Sequence, residues 1–301
     1  MSRIRTLPFA ALLILTAASG VVGSQAHFTT SVDMVAMDVC ATDRSGRPAQ
    51  IGPDDLAVFD NGIRQQIAVF SGGDRVPPAV TLLVDSSRSM YHGLLDQATA
   101  AATALIDQLP NDALVEVISF NDYTAVLYPM GVDHHEAVRA LSDMEPVGGT
   151  ALFDAVLVGI RGQQRAERGR QSPHREVIVM LTDGEETRPR VDFDLVLDEA
   201  RRSSILVYPV VLPPHDAPES GTPWQMMQLA IDTGGKSVAA HHPGQLTNIY
   251  QQIAADVRNL YRVGYVPSPL VRDGAWHQVQ VRATNDDVVL RTRSGYYASS
   301  R

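Results

Sequence analysis

The sequence has one cysteine, Cys40, in 301 residues. A lone thiol excludes an intrachain disulfide framework and any zinc site built from cysteine pairs. Lysine is nearly absent as well: Lys236 stands alone, and arginine supplies almost all the positive charge. The 25 basic residues are outnumbered by 34 acidic ones, for a formal charge of −9, and no Lys/Arg cluster interrupts that balance. A general nucleic-acid binder is thereby excluded. The sequence also lacks a G-x-x-x-x-G-K-[ST] phosphate loop and a G-x-S-x-G nucleophile elbow. What it does have is 45% hydrophobic residues against 20% charged, more core than one ordinary domain needs. Its function must therefore be sought in oxygen and nitrogen ligands.

Arg3 and Arg5 form a positive start, Leu7 to Ala18 an apolar stretch, and Ser24-Gln25-Ala26 a small-residue cleavage site. Residues 1–26 thus read as a signal peptide and the protein as secreted or periplasmic. The apolar stretch is well short of the roughly 20 residues that span a bilayer, so no membrane span is expected in the mature chain. No cysteine follows it to carry a lipid. Removing Arg3 and Arg5 leaves 34 acidic against 23 basic residues, net −11.

The rest divides into three textures. Residues 27–75 are β-rich: Val35, Met37, Val39 and Ala41 alternate, and Leu56 to Ile63 reads as strand, Asn-Gly turn, strand. Residues 76–260 alternate β and α. Val80 to Val84 is an apolar run of the kind buried on both faces, followed by Leu94, Ala98, Ala102, Leu105 and Leu109 at helical spacing. Strands are expected over 113–120, 124–130 (antiparallel), 176–182, 205–212 and near 236–240, with helices from 151 and over 192–202, 224–233 and 244–260. Residues 261–301 return to β. The predicted fold is α/β, a doubly wound, mostly parallel sheet with helices on both faces, inserted into a small β-rich domain made by both flanks.

Asp85-Ser86-Ser87-Arg88-Ser89 fits D-x-S-x-S where the apolar run ends, and ligands of open α/β sheets collect at the carboxyl ends of strands. Two further loops should open there, with Gly148-Gly149-Thr150 before the helix from 151 and Thr182-Asp183-Gly184 after strand 176–182. Asp85, Ser87, Ser89, Thr150 and Asp183 offer two carboxylates and three hydroxyls, a hard-oxygen set suited to Mg²⁺ first, with Mn²⁺ or Ca²⁺ as alternatives. Neutral hydroxyls leave such a cation residual positive charge, which an external anion can satisfy. Gly148 and Gly149 would let the backbone turn tightly enough to present Thr150.

Over residues 76–260 this pattern resembles the von Willebrand factor type A domains and their metal-ion-dependent adhesion site. Asp85, Ser87, Ser89, Thr150 and Asp183 match its five positions in order, and Leu181-Thr182-Asp183-Gly184-Glu185 matches its third loop. The flanks, through Asp55 to Gly62 and Arg293 to Tyr297, resemble a bacterial secreted branch of the family. The resemblance implies a metal-dependent protein-binding module for adhesion or assembly rather than an enzyme. It also implies a protein partner that presents Asp or Glu to the cation.

Two other classes stand beside that reading. One is a Mg²⁺-dependent hydrolase or phosphatase, since a strand ending in Asp also opens phosphoryl-transfer folds of the haloacid-dehalogenase type; those need a second Asp where this chain has Ser87. The other is a scaffold with a vestigial site. His92, His134-His135 and His241-His242 read as surface histidines, Glu185 and Glu186 as a solvated loop or an acidic rim. Trp224, Met226 and Met227 read as core. Cys40 reads as a small hydrophobe in a strand, with pairing between chains as the alternative.

Overall fold

The computed structural model describes residues 33–72, 76–170, 172–183, 186–212 and 223–300; the expected signal peptide lies outside them. The described residues begin with strands β1 (Val35–Asp43), β2 (Leu56–Asp60), β3 (Ile63–Gln65) and β4 (Ile67–Ser71). Asn61 and Gly62 both adopt positive φ, 46° and 80°, the tight hairpin turn that an Asn-Gly pair favours, and β2 pairs antiparallel with β3 across it.

The α/β segment runs β5 (Pro78–Asp85), α1 (Leu94–Ile106), β6 (Leu114–Phe120), β7 (Thr124–Gly131), α2 (His134–Ser142), α3 (Leu152–Gly169) and β8 (Arg175–Thr182). It continues with α4 (Phe193–Arg202), β9 (Leu206–Val211), α5 (Trp224–Thr233), β10 (Val238–Ala239) and α6 (Leu246–Arg258). After Asn259 come β11 (Leu260–Tyr265), β12 (Trp276–Ala283), β13 (Val288–Arg291) and β14 (Gly295–Tyr297).

One six-stranded sheet, in the order β10-β9-β8-β5-β6-β7, is parallel except for β7. Every residue of β5 and of β8 is buried, as continuous apolar central strands require. Apolar side chains of α1, α2 and α6 fill one face of this sheet, and those of α3, α4 and α5 the other. This is the doubly wound α/β fold anticipated from the β-α alternation. The chain leaves β5 toward β6 on one side and returns through β8 on the other, so the crevice of the sheet lies at the carboxyl end of β5.

The flanks pair with each other in two four-stranded sheets, β13-β1-β11-β4 and β14-β12-β2-β3. Val35, Met37, Val39 and Ala41 of β1 enter the apolar core between them, whereas Cys40 points the other way, into the α/β core. Cys40 is 2% exposed and burial pushes its thiol up to about 11. That removes the alternative of pairing between chains, because the reactive thiolate is both inaccessible and disfavoured.

Two local expectations need correction. Helix α2 was not expected between β7 and α3; Asp133 starts it, its side chain accepting the Glu136 N–H at 3.1 Å. On α5 only Met226 of the three anticipated core residues is buried. Trp224 and Met227 lie three residues apart on the outward face and are exposed, with Trp224 set edge-on against Phe193.

At the amino end of β8, burial pushes the Glu176 carboxyl up to about 7, with Arg170 3.6 Å away opposing the shift. A raised carboxyl pKa means the folded chain holds that proton more tightly than the unfolded one. The Glu176 contribution is therefore full below the ordinary value of 4.5 and lost as pH rises through about 7. Denaturant melts should show on the order of 1–2 kcal/mol of stability lost between pH 4.5 and 7.5 from this group. The loss should flatten in Glu176→Gln; an unchanged slope would assign the effect elsewhere.

Candidate metal centre

Strand β5 ends at Asp85, which is 0% exposed. Its Oδ1 accepts the Ser87 N–H at 2.8 Å and its Oδ2 accepts the Thr182 hydroxyl at 2.8 Å. Thr182 closes β8, so the carboxylate bridges the ends of two adjacent central strands. Ser87 is buried and its Oγ lies 2.9 Å from that of the exposed Ser89, so the second and third residues of the motif share one position. Asp183 follows Thr182, is half-buried, and acts on Asp85 as a like charge.

Thr150, also buried, arrives on the loop before α3. Backbone bonds lace that loop to the first one: the Val147 N–H donates to Ser86 O at 2.8 Å and the Arg88 N–H to Gly148 O at 3.1 Å. On its other side the Thr150 N–H donates to Thr187 Oγ1 at 2.8 Å, while Thr150 O accepts the N–H groups of Thr187 and Arg188, both at 3.0 Å. Hydrogen bonds thus tie all three loops together. His92 is exposed, as are His135, His241 and His242, while His134 lies against Ala113 O. Among the described residues no cluster of three His, Cys, Asp or Glu side chains is poised around a cation.

Several supporting residues were not anticipated. Asp122, just past β6, accepts the Gly149 N–H at 3.0 Å. Glu186 does not stand out as a rim: its carboxylate accepts the Phe153 N–H at the start of α3 (2.8 Å) and the Arg188 N–H (2.9 Å). Glu185 falls outside the described residues. Gly148 has φ +78°, and a Cβ there would run into the Asp122 carboxylate; one on Gly149 would sit 2.8 Å from Thr187 Oγ1. Gly148→Ala is expected to cost roughly 1–3 kcal/mol of stability, read as a lower melting temperature. It should also weaken Mg²⁺ binding by about tenfold by displacing Thr150, as calorimetry can measure; unchanged values would mean the loop adapts.

The electrostatics decide what the crevice lacks. Burial drives the Asp85 carboxyl up to about 7 and Asp183 adds to the rise, against three hydrogen bonds that lower it. A carboxylate this deeply buried is costly to keep ionised unless a cation or a fuller set of donors compensates it. The charged side chain that acts on it most, Asp183, is an acid. Two carboxylates and three hydroxyls on three hydrogen-bonded loops, two of them at the ends of β5 and β8, therefore fit a divalent, oxygen-preferring cation.

Comparison with known proteins agrees on the fold. Residues 80–186 match the family profile of the von Willebrand factor type A domain. A Synechocystis protein of uncharacterised function is 33% identical over 127 residues, 40% of this chain and 29% of its own. The chain spans less than a third of the length of the curated relatives it matches. A von Willebrand factor type A structure from Catenulispora acidiphila superposes with a TM-score of 0.54 at 13% identity, over 89% of this chain and 75% of that one. Proximal thread matrix protein 1 from mussel byssus, solved with a zinc-occupied MIDAS motif, gives 0.52 at 13% identity, over 66% and 49%. The α/β segment that carries the crevice thus has the fold of the von Willebrand factor type A domains, and residues 80–186 within it match that family's profile.

Proposed function

We propose that this protein is an extracytoplasmic binding module, not an enzyme, in which a divalent cation held by Asp85, Ser87, Ser89, Thr150 and Asp183 receives an Asp or Glu side chain of a protein partner. The observation that carries the reading is the wholly buried Asp85 carboxylate, which takes hydrogen bonds from neutral donors and has a second acid, Asp183, beside it. A cation bound there supplies the compensating charge and, with few anionic ligands of its own, a Lewis-acidic position for an external carboxylate. Domains of this family commonly mediate metal-dependent protein interactions. The hard-oxygen set favours Mg²⁺, with Mn²⁺ or Ca²⁺ as substitutes. The zinc in the mussel protein supports cation occupancy of the equivalent motif rather than the choice of metal.

The chain's own residues have separable duties. Thr182 and the Ser87 N–H fix both oxygens of Asp85, and Thr187 fixes the loop that presents Thr150. The short leader expected over residues 1–26 supports secretion or a periplasmic location. The test is affinity capture from the extracytoplasmic fraction with Mg²⁺ and with EDTA, together with Mg²⁺ titration calorimetry. Partners retained only with Mg²⁺, and lost when their contact acid is amidated, are the expected result. Metal binding with no metal-dependent partner, or Mg²⁺-dependent turnover of phosphate esters lost in Asp85→Ala, would overturn it.

A further inference from the structure

Beside the crevice runs an open groove of about 470 Å³, lined by Asp122, Tyr123, Arg188, Pro189 and Arg190. We propose that this groove is a second subsite for an anionic side chain of the same partner, so that the recognised segment carries two acidic residues, one for the cation and one for Arg190. The inference rests on the metal-dependent reading above and adds the chemistry of the partner to it.

The groove is attached directly to the site. Thr150 O accepts the Arg188 N–H, and Asp122 Oδ1 accepts the Gly149 N–H, so both walls are hydrogen-bonded to the loop that carries Thr150. The charges on the walls are unequal in use. Asp122 is engaged by the Arg188 guanidinium at 3.3 Å as well as by Gly149. Arg190 lies over the Tyr123 ring at 5.2 Å and donates to the Asp122 carbonyl at 3.3 Å. Asp154 Oδ2 accepts the Arg190 backbone N–H at 3.1 Å, but among the described residues no carboxylate forms an ion pair with the Arg190 guanidinium. Its guanidinium is therefore held in place by neutral contacts with its charge unspent, the condition for receiving an external carboxylate through paired N–H donors.

Two further features support an acidic occupant. The chain as a whole is acidic, net −9, so generic attraction would select basic partners. Against that background Arg188 and Arg190 place two exposed guanidinium groups beside the crevice, of which Arg188 is paired with Asp122 and Arg190 is not paired with an acid. Tyr123 is 68% exposed, and Tyr and Arg are among the residue types enriched at the energetic centres of protein interfaces.

The experiment uses capped synthetic peptides as probes: one with a single Asp in a Gly background, and a series with two Asp separated by none, one or two Gly. Binding is measured by calorimetry or NMR on the full chain with saturating Mg²⁺, for wild type, Arg190→Gln and Arg190→Lys. Mg²⁺ affinity and melting temperature should match wild type in both variants. At the fitting spacing the two-acid peptide should bind at least about tenfold tighter than the one-acid peptide. Arg190→Gln should erase that advantage without changing the one-acid affinity, and Arg190→Lys should restore part of it, since an ammonium keeps the charge but not the fork. Equal affinities of the one-acid and two-acid peptides for wild type, or an advantage that survives Arg190→Gln, would overturn the subsite while leaving the metal reading intact. Mg²⁺ binding with no peptide binding at all would overturn the reception of a carboxylate at the cation, and the subsite with it.

Discussion

Asp85→Asn should abolish measurable Mg²⁺ binding and at the same time raise the thermal stability of the metal-free protein. The first effect follows from removing one of two charged donors in a set whose other members are hydroxyls; a loss of at least about 100-fold, roughly 2.7 kcal/mol, is expected. The second follows from burial. Asp85 is wholly enclosed, and its carboxyl is pushed up to about 7, so above that pH the metal-free fold holds an ionised group that water would solvate better. Asparagine keeps the shape: its oxygen can accept the Ser87 N–H and its amide can donate to the Thr182 hydroxyl, which rotates to suit. Folding then no longer confines a charge, and a gain of about 1–2 kcal/mol at pH 8 is expected, or some 2–6 °C.

The pH dependence separates this from a packing effect. A raised carboxyl pKa makes the metal-free protein lose stability as pH rises toward 7, so the advantage of Asp85→Asn should be present at pH 8 and nearly absent at pH 5, where the acid is already neutral. Melts in EDTA at the two pH values, with Mg²⁺ titration calorimetry, read both effects. Native-like Mg²⁺ affinity in the variant would remove Asp85 from the ligand set. Destabilisation at pH 8 would show that its charge is compensated without metal. Ser87→Ala and Thr150→Ala should each cost about tenfold in affinity, because water can replace a neutral donor. A gain in stability from losing a ligand is the usual mark of a residue kept for function.

The sequence carried the strand and helix order because the apolar periods change sharply, from two in β1 to continuous in β5 to helical in α1. It also carried the loop candidates, since D-x-S-x-S begins on the last residue of a buried strand and the other two motifs follow at strand and helix ends. What holds those loops together was not readable. Asp122 reaches Gly149 across 27 residues and Thr187 reaches Thr150 across 37, pairings that no local pattern encodes. Short α2 escaped because its apolar stripe is brief, with only Ala137 and Leu141 buried; the capping Asp133 was the available signal. The helical spacing of Trp224 and Met227 fixes a shared face without saying which side it turns to, and here it turns outward. The alternation in β1 marked one buried face and was silent on the other, where Cys40 and Asp38 meet the α/β segment.

Asp38 sets the remaining large effect. Its carboxylate takes the Arg262 guanidinium in two bonds, Nε at 2.8 Å and Nη2 at 3.1 Å, and lies 3.7 Å from Nε of Arg175. Arg175 opens β8 at 1% exposure and is the largest fully buried side chain described, so a flank strand neutralises a cation inside the α/β segment. Asp38→Asn keeps the volume but withdraws the negative charge from the buried Arg175 and from the partly exposed Arg262 at once. Removing one partner of a buried ion pair typically costs about 3–5 kcal/mol, and a value toward the lower end is expected here. Chemical denaturation should show the midpoint falling with an unchanged slope, as for a loss of stability without a change in the area exposed. Mg²⁺ affinity per folded molecule should stay within about twofold. Arg175 and Asp183 bracket the eight residues of β8, roughly 26 Å of extended chain, a distance over which a surviving sheet transmits little. A destabilisation below about 1 kcal/mol would show that the buried arginine is satisfied without Asp38 and that the flank is held by its apolar contacts alone. A large fall in Mg²⁺ affinity at full folding would instead show that the flank strand and the metal crevice are coupled through β8.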